Sequence, residues 1–82
     1  MSEGATVSKT LDCRGLYCPL PIVEMRKVMK GLAEGEVVKV LATDPGSKRD
    51  FASWCEKTGN ELLEASEEDG LFTYVIRKTR GS

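Results

Sequence analysis

The sequence predicts a two-layer α/β (α+β) sandwich, in which a mixed four-stranded sheet carries two helices on one face. Four short segments have the composition or alternation of strands, and two longer ones have apolar residues at helical spacing, in the order βαβαββ. Right-handed crossovers place both helices on the same face of the sheet. At 82 residues, the chain has the length of one domain with one modest core.

The first half of the chain predicts a strand followed by a helix. Residues alternate between an apolar and a polar side over Lys9–Cys13, and the period changes to that of a helix at Pro19. The apolar stripe of this helix has the spacing i, i+3, i+7 and i+10. It consists of Ile22, Met25, Met29 and Leu32, with Val28 beside it, and Gly31 and Gly35 bracket the helix end.

The second helix is preceded by a β-branched strand over Glu36–Ala42 and a turn over Thr43–Gly46. Ser47 and Asp50 fit a capping box, so each side chain is expected to accept a hydrogen bond from a free amide. Gly59 is expected to end the helix in the left-handed conformation. The predicted inner face carries Phe51, Trp54, Cys55 and Thr58.

The last two strands are predicted over Leu62–Ser66 and Leu71–Lys78, with a hairpin signal at Glu68–Gly70 between them. Residues 9–79 are expected to form the single domain, with tails at 1–8 and 80–82. Two charged groups are interpreted as solvated surface. They are the basic residues Arg26, Lys27 and Lys30 and the acidic residues Glu61, Glu64, Glu67, Glu68 and Asp69.

Charge and hydropathy exclude several classes of protein. The 12 basic and 13 acidic residues give a net charge of −1, which disfavours stable nucleic-acid binding. No apolar run approaches the ~20 residues that span a bilayer, and residues 1–6 lack the features of a secretory signal. We therefore expect a cytoplasmic protein whose thiols stay reduced.

The absence of histidine restricts the chemistry further. It removes the Cys-His and Ser-His pairs that activate most nucleophiles. Three cysteines alone do not complete a four-ligand zinc site, so no metal is expected. The sequence implies no organic cofactor either.

Cys18 is the residue most expected to carry chemistry. It follows a loop and precedes a helix, where free amides and the helix dipole favour a thiolate over a thiol. Pro19 is expected at the first helical position, and Pro21 removes a second early amide. The Leu20 N–H is then the amide expected to be free to meet the sulfur.

Position 21 is Pro, so Cys18 is not part of a C-x-x-C pair and lacks the second thiol of thioredoxin-like disulfide exchange. Cys18 is therefore expected to act as a single thiol: a nucleophile, a persulfide carrier or a redox sensor. A free cysteine is often a buried, inert residue, which is the interpretation favoured for Cys55 and Cys13. Trp54 is likewise expected in the core. A bridge between Cys13 and Cys18 on oxidation stays open, because only five positions separate them.

The segment Leu11–Pro21 resembles the opening of the TusA (SirA-like) sulfur-carrier family, whose signature is Leu-Asp-x-x-Gly followed by Cys-Pro-x-Pro. The resemblance continues in Thr43–Asp50 and Thr58–Leu63 and spans roughly residues 10–78. It implies a cytoplasmic protein folded like the C-terminal domain of a bacterial translation initiation factor. It also implies site residues: Cys18 as the persulfide site, Pro19 and Pro21 as its frame, and Arg14 and Gly15 as the adjoining loop.

The resemblance implies sulfur transfer between proteins. Donors in the family are cysteine desulfurases or rhodanese-type proteins, and acceptors are further relay proteins. The known destinations are tRNA thiolation, molybdenum cofactor maturation and sulfur oxidation. Many members have an acidic residue where this chain has Leu20, so its surface at this point is more apolar.

Two other functions remain open from the sequence. One is a regulatory or RNA-interacting module, suggested by the fold's kinship to a ribosome-binding domain. The other is a thiol redox sensor that uses Cys13 and Cys18.

Overall fold

The computed structural model describes residues 7–17 and 20–79, and its elements follow the predicted order βαβαββ. The elements are β1 (Val7–Cys13), α1 (Leu20–Lys30), β2 (Val37–Ala42), α2 (Ser47–Thr58), β3 (Glu61–Glu68) and β4 (Leu71–Arg77). The predicted fold class is confirmed. The element ends differ from prediction by one or two residues, chiefly because β1 begins at Val7 and β3 extends to Glu68.

The sheet has the strand order β1-β2-β4-β3 and is mixed. Strands β1 and β2 pair in parallel and are connected through α1. Strand β4 pairs antiparallel with both β2 and β3 and so lies between them. The β3–β4 hairpin turns at Asp69 (φ 52°) and Gly70 (φ 82°), and this pair of positive φ angles is what a tight two-residue hairpin turn requires.

The core lies between one face of the sheet and the two helices, which also contact each other. The predicted stripe of α1 is confirmed, because Met25 and Met29 are fully buried and Leu32 packs against the core from just beyond the helix. From α2, the ring of Phe51 stacks on that of Tyr74 with ring centroids 4.8 Å apart. The helical spacing therefore identified the inner faces of both helices correctly.

The start of α2 differs from the prediction. Ser47 is the first residue of the helix and is buried, and its Oγ shares a hydrogen bond of 2.8 Å with the Tyr74 hydroxyl. The N-cap is Gly46, without a side-chain cap, and the Gly46 N–H donates to Asp44 Oδ1. The predicted capping box is wrong because the buried phenol of Tyr74 needs a polar partner, and Ser47 supplies it.

The end of α1 is capped from a distant part of the chain. The Lys78 side chain is buried, and its Nζ donates to the carbonyls of Met29 and Leu32 at 2.6 Å each. A cation at a helix C-terminus also interacts favourably with the helix dipole. Lys78, predicted to end the last strand, therefore fixes the helix that follows Cys18 in the sequence.

Candidate functional site

Two loops meet at the edge of the sheet where the parallel strands β1 and β2 end. Residues 14–17 follow β1 and residues 43–46 follow β2, so both loops leave the sheet on the same side. The Gly15 N–H donates to Thr43 Oγ1 at 2.9 Å and ties the loops together. This edge of an open α/β sheet is where ligand and reaction sites commonly form.

Asp12 and Arg14 hold the first of these loops through three hydrogen bonds. The Asp12 carboxylate accepts from the Arg14 backbone N–H and Nε at 3.0 Å each, and from Nη2 at 2.9 Å. These hydrogen bonds lower the pKa of Asp12 to about 2, and the bonds from the Arg14 guanidinium have the largest effect. Both side chains are more than half exposed, so the pair adds little stability and chiefly fixes the geometry of the loop.

Gly15 provides the backbone conformation that the turn needs. Its φ is +84°, and the Leu16 N–H donates to the Cys13 carbonyl at 3.1 Å across the turn. A Cβ built at Gly15 would have no heavy atom within 4 Å. The requirement for glycine is therefore conformational rather than steric.

Cys18 and Pro19 lie outside the described residues, so their predicted roles stay predictions. The described residues on either side are joined, because the Leu20 N–H donates to the Tyr17 carbonyl at 2.9 Å. The expectation that the Leu20 amide is free to meet the Cys18 sulfur is therefore wrong, because that amide already donates to the Tyr17 carbonyl. Pro21, part of the predicted frame, is fully buried and anchors the start of α1 in the core.

The other two thiols are buried in the core. Cys13 is 0% exposed and Cys55 is 5% exposed, and both are free thiols. Burial raises the pKa of each to about 11, and the carboxylates of Glu24 and Asp12 add to the effect on Cys13. The prediction that both residues pack in the core is confirmed. The other half of a Cys13–Cys18 bridge lies outside the described residues, so that bridge stays a prediction.

Within 7–17 and 20–79, no group of three or more Cys, Asp or Glu side chains is arranged to hold a metal ion. None of the helices in these ranges has the length and apolar character needed to cross a membrane.

The family model described as "Sulfurtransferase TusA" matches residues 9–78, nearly the full extent of the described fold. The chain belongs to the TusA family of sulfur carriers. It is 45% identical over 75 residues to the sulfur carrier protein TusA of Allochromatium vinosum, covering 92% of this chain and 99% of that protein. It is 50% identical over 70 residues to a putative sulfur carrier protein of Neisseria meningitidis, and the match covers 85% of this chain and 95% of that protein.

The fold of the TusA family is also found in a solved structure. The SirA-like protein from Desulfitobacterium hafniense is similar with a TM-score of 0.77 and 30% identity, over 88% of this chain and 99% of that one. Membership of a sulfur-carrier family means that this chain works with protein partners in sulfur relay.

The structure adds two site residues that the sequence analysis did not select. Asp12 is the aspartate of the Leu-Asp-x-x-Gly signature, and its position two residues before Arg14 is a local signal for the observed hydrogen bonds. Thr43 lies in the predicted turn and begins the segment Thr43–Asp50 that continues the family resemblance, without a role of its own. No local pattern marks it, because its partner Gly15 lies 28 residues away in the chain.

Proposed function

We propose that this chain carries sulfane sulfur as a persulfide on Cys18 and passes it to a partner protein. The observation that carries this proposal is the burial of the other two cysteines. Of the three thiols in the sequence, Cys13 and Cys55 are in the core and their pKa values are raised to about 11, so neither is available as a nucleophile. Membership of the TusA family supports the same chemistry.

The proposed transfer is a pair of thiol exchange reactions. The Cys18 thiolate attacks the outer sulfur of a donor persulfide, a new S–S bond forms, and the donor cysteine leaves as a thiolate. An acceptor thiolate then attacks the outer sulfur on Cys18, and Cys18 leaves as a thiolate in turn. The sulfur moves without net oxidation or reduction, so no external oxidant or cofactor is needed.

The residues next to Cys18 support this role by restricting the loop. Pro19 and Pro21 limit the backbone, while Arg14 and Gly15 set the turn at the end of β1. With no histidine in the chain, proton transfers are left to solvent or to the partner. The helix dipole of α1 remains as a local source of thiolate stabilisation, since the Leu20 amide is already bonded.

The proposed partners are a cysteine desulfurase or a rhodanese-type protein as donor and a relay protein as acceptor. We place the reaction in the cytoplasm, where thiols stay reduced. The pathway served is one of the three family destinations: tRNA thiolation, molybdenum cofactor maturation or sulfur oxidation.

Transfer can be tested with radiolabelled sulfur. A cysteine desulfurase supplied with labelled cysteine should transfer label to the wild-type chain, and dithiothreitol should release it. The Cys18→Ser variant should gain none, whereas Cys55→Ala should gain as much as wild type. Label that is retained in Cys18→Ser would contradict the proposal.

A further inference from the structure

Three apolar side chains that lie within five positions of Cys18 in the sequence are exposed. Tyr17 is 75% exposed, Leu20 is 47% exposed and Val23 is 38% exposed. The Leu20 amide is bonded to the Tyr17 carbonyl, and Leu20 and Val23 are neighbours one turn apart on α1. Among the described residues, the other exposed large hydrophobic is Val7, at the opposite end of β1. Exposed apolar surface is therefore concentrated next to Cys18; we call Tyr17, Leu20 and Val23 the apolar patch.

Positive charge continues from the apolar patch along the outer face of α1. Arg26, Lys27 and Lys30 line a shallow surface depression together with Val23. The helix has one acidic residue, Glu24, whose carboxylate pairs with Lys27 at 3.3 Å. Arg26 and Lys30 have no ion pair within 7–17 and 20–79. This basic rim belongs to a chain whose net charge is −1, so the positive charge is local.

We propose that the apolar patch and the basic rim together form the docking surface for the protein that loads Cys18. The counterpart on that donor is an apolar pocket flanked by carboxylates. This inference rests on the proposed function, because a donor sulfur that reaches Cys18 brings its protein into contact with the residues on either side of it.

The chemistry of the surface matches that of a protein interface. An apolar centre with an exposed tyrosine and a charged rim is typical of protein–protein contacts. The apolar centre selects the partner, because a polar counterpart would lose its water without gaining hydrogen bonds. The basic rim steers an acidic donor towards the loop and makes association dependent on salt.

Leu20 is the specificity-determining residue of this surface. It is the first described residue of α1 and lies two positions from Cys18, so it is among the first groups a docking partner would cover. A polar side chain at this position would leave the fold intact, since the present side chain is half exposed. Its replacement should therefore alter partner choice without altering the carrier itself.

The test compares a protein donor with a small-molecule donor. The concentration of this chain is varied, and the rate at which Cys18 is loaded with persulfide is measured for each of three sulfur donors. The donors are a cysteine desulfurase, a rhodanese-type protein and inorganic polysulfide. The variants are Leu20→Gln and Val23→Gln, which add no charge near Cys18. The matched control is Val7→Gln, because Val7 has the same 38% exposure as Val23 but lies roughly 20 Å along β1 from the loop.

We expect each patch variant to raise the half-saturating concentration for at least one protein donor about tenfold, which corresponds to ~1.4 kcal/mol. Loading from polysulfide should stay within about twofold of wild type, and Val7→Gln should match wild type with every donor. Equal half-saturating concentrations for the wild type and both patch variants would overturn the proposal. Loading from polysulfide but from neither protein donor would also overturn it.

The basic rim is tested with salt. The half-saturating concentration for the protein donor should rise with ionic strength, and less steeply in Lys30→Gln than in Lys57→Gln. Both lysines are in the last turn of their helix, so their effects on helix stability are matched. A salt dependence that is absent, or equal in the two variants, would overturn the role of the rim.

The outcomes separate this inference from the proposed function. If neither polysulfide nor a protein donor loads Cys18 in the wild-type chain, the carrier function itself fails. If polysulfide loads every variant equally and the protein donors do not distinguish the patch variants from wild type, the carrier function stands and the docking surface fails.

Discussion

At the scale of single residues, the chemistry depends on which thiol is available. Cys13 and Cys55 are removed from chemistry by burial, which raises their pKa values to about 11. The alternation of β1 and the apolar spacing of α2 predicted both placements, because burial follows from periodicity. The redox-sensor alternative loses support for the same reason, since a sensor thiol is accessible and has a low pKa.

Asp12 gives a prediction about pH at this scale. Its pKa in the folded chain is about 2, below the ordinary value of 3.8, so its contribution to stability is complete above about pH 4 and is lost as the pH falls through about 2. Arg14→Gln should return the Asp12 pKa towards 3.8, as measured by NMR titration of the side-chain carboxyl. An Asp12 pKa that stays near 2 in this variant would contradict the assigned cause. Lys9→Gln is a control that leaves the Asp12–Arg14 bonds in place.

At the scale of elements, the helix that follows Cys18 is fixed at both ends by contacts with distant residues or with the core. Pro21 is buried at its start, and Lys78 caps the carbonyls at its end. Neither contact is visible in a local pattern. Lys78 lies 49 positions from Met29 and 46 positions from Leu32 in the sequence. The capping box of α2 was wrong for a related reason, because Tyr74 recruits Ser47 across the core.

The Lys78 cap gives a prediction about stability. Lys78→Met should lower the free energy of unfolding by about 1.5–3 kcal/mol, the range for hydrogen bonds to a charged group, because two helix carbonyls lose their buried partner. Chemical denaturation followed by circular dichroism measures the change. Lys57→Met, at the C-terminal end of α2, should change it by less than about 0.5 kcal/mol. Equal effects of the two substitutions would show that the cap does not act as described.

At the scale of the whole molecule, the fold was predictable and the site only partly so. Element order and the faces of both helices followed from periodicity, and the hairpin followed from the run Glu68–Gly70. The central position of β4 and the hydrogen bond from Gly15 to Thr43 depend on how distant segments pair. Local patterns do not encode such pairing. The sequence already indicated apolar surface at Leu20, whereas the exposure of Tyr17 and Val23 beside it emerges only when the chain is folded.

The most direct measurement for this account locates the sulfur on the folded chain. The protein is treated with inorganic polysulfide, alkylated, and analysed by peptide mass spectrometry, so that each of its three cysteines is scored separately. We predict one added sulfur atom on the peptide that contains Cys18, with Cys13 and Cys55 unmodified until the chain is unfolded. Added sulfur on Cys13 or Cys55 in the folded protein, or none on Cys18, would contradict it.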